Sequence, residues 1–201
     1  MKPLAPVSRG SRLTFAALAL AALSFSQAAA QDIPEAKQTR AGLYLWATEA
    51  DDLLKDDHAI LIDVRTRAEV AFLGLPTRAN VNIPYMEMAV PPVFDPDSHG
   101  YKLAQNPDFL MEFEAYAMEN DVTKDTPIVL LCRSGTRSAK AANQLYEIGY
   151  TNVYSVLDGF EGDKAKTGPH AGHRTVNGWK NAGLAWTYSI ELTQAYPRDR
   201  M

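Results

Sequence analysis

A second cysteine is missing from this 201-residue chain, and Cys132 stands alone. No internal disulfide can form, so stability has to come from a packed core. Positive charge is also short: 20 Lys+Arg face 24 Asp+Glu, a formal charge of −4. An acidic chain is a poor general binder of nucleic acid or of an anionic membrane. Histidine is scarce, with four residues. Of these, His170 and His173 have a spacing that two metal ligands use, yet only Asp163 stands near as a partner. A solvated loop is the better reading, and no metal or organic cofactor is expected. Internal repeats and low-complexity tracts are absent.

The N-terminus has the pattern of an export signal. Lys2, Arg9 and Arg12 precede an apolar stretch from Leu13 to Phe25, and Ala28-Ala29-Ala30 offers a small-residue cleavage site. The apolar stretch is short for a bilayer span, and no cysteine follows it to carry a lipid. Cleavage near Ala30 would leave 17 Lys+Arg against 24 Asp+Glu, a charge of −7. The expectation is a periplasmic or secreted protein with no stable membrane association. The remaining length suits one domain with a sizeable core.

Cys132 ends the apolar run Ile128-Val129-Leu130-Leu131 and opens Cys132-Arg133-Ser134-Gly135-Thr136-Arg137-Ser138, after which a helix-forming stretch begins. The ionised thiol is the reactive form, and a helix N-terminus with neighbouring arginines favours it. Inward N–H groups of a tight turn hold an anion beside the sulfur. A buried free cysteine is usually inert filling. Two arginines, a glycine and three hydroxyl residues within six positions are costly to place beside such filling. The pattern therefore indicates a nucleophile in an anion cradle.

Along the chain, 1–30 is the signal segment, 31–43 a flexible leader, 44–190 the domain and 191–201 a tail. Strands are expected at Ala59–Val64, Asn80–Ile83, Pro127–Leu131 and Asn152–Leu157. Helices are expected at Glu49–Lys55 with Thr48 as N-cap, around Ala68–Leu73, from Asn106-Pro107 to about Asn120, at Arg137–Ile148 with Gly149 as stop, and at Asn177–Ala182. Gly74-Leu75-Pro76 reads as a turn and 85–104 as a long loop, in which Val90 to Phe94 is a candidate lid. Strands alternating with helices imply an α/β fold with a mostly parallel sheet covered on both faces. Ligands bind such sheets at the carboxyl ends of the strands, where Cys132 lies.

Four patches resemble the rhodanese (thiosulfate sulfurtransferase) family over roughly residues 45–188. They are Leu61 to Arg65 with Glu69, Ala79 to Pro84, the Cys132–Ser138 loop, and Val156 to Gly159 with Trp179 to Leu184. The chain departs from the family at Leu73 to Thr77 and carries extra length at 85–104 and before Trp179. The resemblance implies a rhodanese-like single domain in which Cys132 takes sulfur from thiosulfate or a similar donor. The resulting persulfide passes its outer sulfur to a thiophile such as cyanide or a thiol. Arg133 and Arg137 are expected to attract the donor, and Ser138 to cap the helix. Asp63, Arg65 and Glu69 are expected to support the loop as ion pairs, with Arg65 a secondary contact to the donor. Partners are then a small sulfane donor and a thiophile acceptor.

Two alternatives belong to other classes. One is a persulfide carrier or interaction module serving another exported protein. The other is a phosphatase or arsenate reductase of the same fold. Such a phosphatase loop places five residues between cysteine and arginine, whereas four separate Cys132 from Arg137. The smaller ring suits a sulfur atom better than a phosphoryl group.

Overall fold

The apolar runs at Ile60–Asp63, Ile128–Leu131 and Val153–Val156 become neighbouring strands of one sheet. The computed structural model describes residues 33–200, so the signal segment lies outside the described residues. In chain order the first half comprises β1 (Tyr44–Leu45), α1 (Ala47–Leu53), β2 (Ile60–Asp63), α2 (Arg67–Leu73), β3 (Leu75–Pro76) and β4 (Val81–Asn82). Four short strands follow: β5 (Met86–Met88), β6 (Phe94–Asp95), β7 (Gly100–Tyr101) and β8 (Leu103–Gln105). The rest is α3 (Phe109–Glu119), β9 (Ile128–Leu131), α4 (Thr136–Glu147), β10 (Val153–Val156) and β11 (Trp186–Thr187).

The central sheet has the order β1-β10-β9-β2-β4, with every pair parallel. Ile60 to Asp63 run in register with Ile128 to Leu131. Alternate residues of a strand face opposite sides. Ile62, Ile128, Leu130 and Cys132 thus join Phe109, Phe113 and Leu145 of α3 and α4 in one core. Leu61, Val129 and Leu131 join Ala50 of α1, Val70 of α2, and Trp179 in the other. Both faces are covered, which is why the strands read as continuous apolar runs.

Capping explains the local starts. Thr66 Oγ1 accepts from Glu69 N, and the Glu69 carboxylate accepts from Thr66 N, closing a capping box at α2. At α1 the Glu49 carboxylate accepts from Trp46 N, so the helix begins before Thr48. Asn106 Oδ1 accepts from Asp108 N in a turn that feeds α3, which begins at Phe109. Gly149, with φ +94°, follows the end of α4.

Several expectations are corrected by contacts distant in sequence. Leu75-Pro76 is not a free turn: it pairs antiparallel with Trp186-Thr187. The stretch 85–104 folds into two small ladders, β5 with β8 and β6 with β7. Asn177–Ala182 forms turns and no helix, with Gly178 and Gly183 at positive φ. The described part of 31–43 is not loose: Ile33 is buried, Lys37 Nζ donates to Leu157 O, and Arg40 N donates to Asn143 Oδ1. Nor does the described part of 191–201 trail free: Asn82 N donates to Gln194 O, and Tyr196 enters the core. That contact covers the open edge of β4, which would otherwise present unpaired backbone groups.

Candidate active site

β9 ends at Leu131, immediately before Cys132, and α4 begins at Thr136, leaving Arg133, Ser134 and Gly135 to turn the chain after the thiol. The bend needs Gly135 at the N-cap, with φ +95°; a Cβ there would lie 2.2 Å from Leu157 O. Its amide donates to Cys132 Sγ at 3.2 Å. Among the described residues the amides of Arg133, Ser134, Thr136 and Arg137 find no protein acceptor. Unpaired donors are the ordinary state of a helix's first turn, and of the loop amides it is Gly135 N that bonds the sulfur. Ser138 Oγ lies 3.5 Å from Sγ, donates to Gly135 O and meets Ser155 Oγ at 2.9 Å. Ser138 therefore ties the loop to β10 from inside α4 and is not its cap.

A second segment fixes the backbone of Cys132. Phe160 N donates to Cys132 O and Glu161 N to Arg133 O. Gly159, at φ +62°, passes so close that a Cβ would lie 2.5 Å from Cys132 O. Asp158 anchors this passage by accepting from Ala47 N and Gly178 N, and burial pushes its carboxyl above the ordinary value.

The arginines divide into spent and available cations. Arg137 donates through both terminal nitrogens to the two oxygens of Glu69, each at 2.6 Å. Burial alone would raise the Glu69 carboxyl, but the Arg137 hydrogen bonds and charge outweigh it and bring it to about 2. This fork clamps the start of α4 to α2 and uses donors that were expected to meet substrate. Arg65 is fully buried, bonded to Asp63 and Gly74 O, and stacked 3.9 Å from the Phe160 ring centroid. It supports the sheet rim behind the loop and does not line the cavity. Arg133 is half exposed, its Nε held by Glu161.

Cys132 itself is 1% exposed, yet it opens into a cavity of about 530 Å3 shared with Arg133, Ser134, Thr136 and Arg137. Met88, Tyr101 and Leu103 reach this cavity from the ladders at 85–104, as does Arg174 from the stretch before Trp179. The apolar segment Val90 to Phe94 does not line it, whereas its neighbours in the ladders do. Arg174, Glu161 and Ser155 escaped the sequence reading, because nothing within a few residues of each marks it as part of the loop. Trp179 is wholly buried, with its Nε1 on Ala185 O, and packs the second core. Among the described residues no group of three metal-binding side chains converges.

The family model for the Rhodanese-like domain matches residues 47–166. An uncharacterized protein of Rickettsia conorii is 34% identical over 139 residues, 69% of this chain and 90% of that protein. Thiosulfate sulfurtransferase 16, chloroplastic, of Arabidopsis thaliana is 30% identical over 125 residues, 62% of this chain and 89% of its own. The crystal structure of Rv0390 from M. tuberculosis superimposes with a TM-score of 0.54 at 32% identity. That match covers 72% of this chain and 96% of the other.

Proposed function

This chain belongs to the rhodanese-like domain family, and from that premise we propose that it transfers sulfane sulfur from thiosulfate or a similar donor to a thiophile. Its family is of sulfurtransferase type, with thiosulfate sulfurtransferases among its relatives. The observation that carries the reading is a thiol whose residue lines an open cavity, accepting an N–H at 3.2 Å from the N-cap of a 12-residue helix.

The Cys132 thiolate attacks the outer sulfur of thiosulfate. An Sγ–S bond forms, the S–S bond of the donor breaks, and the electron pair departs with sulfite. The charge then rests on the terminal persulfide sulfur, beside the free amides of the loop. Cyanide or a thiolate attacks that sulfur next, the persulfide bond breaks, and the pair returns to Sγ. Thiocyanate is the product with cyanide. A covalent carrier of this kind gives ping-pong kinetics.

Arg133 is the cation that supports donor binding, since Arg137 is engaged by Glu69. The same engagement weighs against phosphoryl chemistry, which needs free guanidinium donors on the anion. The proposal includes export, on the strength of the pattern at 1–30; N-terminal sequencing of the mature protein, expected to start near Gln31, tests it.

Thiosulfate and cyanide with the purified protein should yield thiocyanate, and Cys132→Ser should abolish it without altering the circular dichroism spectrum. Turnover retained by the serine variant refutes the mechanism. A stable persulfide with negligible turnover on small thiophiles would point to a carrier for a protein acceptor instead.

A further inference from the structure

The bend that carries Cys132 is buttressed by a stretch of chain that the family match does not include. That match begins at residue 47, and Glu35–Lys37 forms a single 3-10 turn before it. The stretch is seated on α4. Ile33 is buried, Arg40 N donates to Asn143 Oδ1 at 2.7 Å, and the Arg40 guanidinium pairs with Glu147 one turn further along the helix. Seated in this way, the Lys37 side chain turns inward and is only 15% exposed. Lysine is almost never buried without partners. Here Lys37 Nζ donates to Leu157 O at 2.9 Å and to Asp163 Oδ1 at 3.0 Å.

Leu157 O is the atom that Gly135 rests against. A Cβ on Gly135 would lie 2.2 Å from Leu157 O and 3.0 Å from Lys37 Cδ. Lys37 therefore acts twice at this point. Its ammonium holds a carbonyl that accepts no other hydrogen bond among the described residues, and its stem packs beside the glycine. The amide of the same glycine donates to Cys132 Sγ at 3.2 Å. The aim of that N–H depends on what Gly135 leans on, and a hydrogen bond to an ionised group favours the ionised form.

We propose that Lys37 is a positioning residue for the Cys132 thiolate, acting through Leu157 and Gly135. Without the ammonium, a buried carbonyl is left with no donor. The backing of Gly135 then loosens and its N–H turns away from the sulfur. Lys37 does not line the cavity, so it has no part in holding the donor. The consequence for sulfur transfer rests on the persulfide reading above.

The test follows the pH profile of Cys132 alkylation by iodoacetamide in the full protein, which tracks the thiolate and needs no sulfur transfer. Lys37→Met keeps the stem and removes the ammonium. Its profile should move up by about one pH unit, the scale of one lost hydrogen bond to an ionised group. At a pH below both midpoints, kcat/KM for thiosulfate should fall about tenfold, in step with the thiolate fraction. Lys37→Arg restores a charged donor and should return the profile to that of the parent. Arg40→Ala loosens the same stretch only at the surface and should leave the profile in place. A folded Lys37→Met with a lower melting temperature and an unmoved profile overturns the proposal, and so does a shift that Lys37→Arg fails to reverse. Should Lys37→Met not fold, Lys37→Gln replaces it: the amide keeps an N–H for Leu157 O, a smaller rise is expected, and no rise overturns the proposal. If thiosulfate adds no sulfur to Cys132 of the parent by mass spectrometry, the persulfide reading fails, while the alkylation profiles still decide the role of Lys37.

Discussion

Replacing Glu69 by glutamine keeps the side chain's size and removes the charge that faces Arg137. The fall of the Glu69 carboxyl from 4.5 to about 2 corresponds to about 3 kcal/mol of preferential stabilisation of the folded state. Little solvent screening applies, because the two side chains are 17% and 13% exposed. A depressed carboxylate contributes fully above its ordinary value of 4.5 and loses that contribution as the pH falls towards 2. The variant lacks the contribution at every pH and leaves a largely buried guanidinium short of its counter-charge. At pH 7 the melting temperature should therefore fall by roughly 6–12 °C, taking about 2–4 °C per kcal/mol for a domain of this size. The amide still accepts from Thr66 N, so the lower half of that range is expected. Melting both proteins by circular dichroism from pH 7 down to pH 2.5 checks the sign: the gap should narrow with acid. Equal melting at pH 7, or a gap that widens as the pH falls, refutes the clamp.

Arg133→Ala should raise the KM for thiosulfate several-fold with little change in melting, because the side chain is half exposed and its pair with Glu161 lies at the surface. A loss of melting temperature with unchanged kinetics would count against donor binding there. Gly135→Ala should destabilise the fold by about 3 kcal/mol or more, since it adds an unfavourable positive φ to a clash with Leu157 O. Urea unfolding measures the loss, and a variant as stable as the parent would contradict the geometry of the bend.

How much of the site could be read in advance follows from distance along the chain. The strand-to-thiol-to-helix order was legible because burial, turn chemistry and capping act over a few residues: Ile128–Leu131, Gly135 and Gly149 each carry their own signal. The capping box of Thr66 and Glu69 is equally local, spaced three apart. The second duty of Glu69 is not, because its partner Arg137 lies 68 residues on. The roles expected of the two loop arginines separated for that reason. One is neutralised by a residue of α2, and the other is left at the mouth of the cavity.

By itself the sequence determined an α/β fold and a lone thiol opening a helix, since periodicity, glycine placement and composition are properties of neighbouring residues. Only the tertiary structure decided what surrounds that thiol. The ladders at 85–104 bring apolar side chains to the cavity and the stretch before Trp179 brings Arg174, while the C-terminal segment closes the sheet edge at Asn82. Such contacts are set by how the packed layers bring distant segments together, and no window of sequence contains both partners.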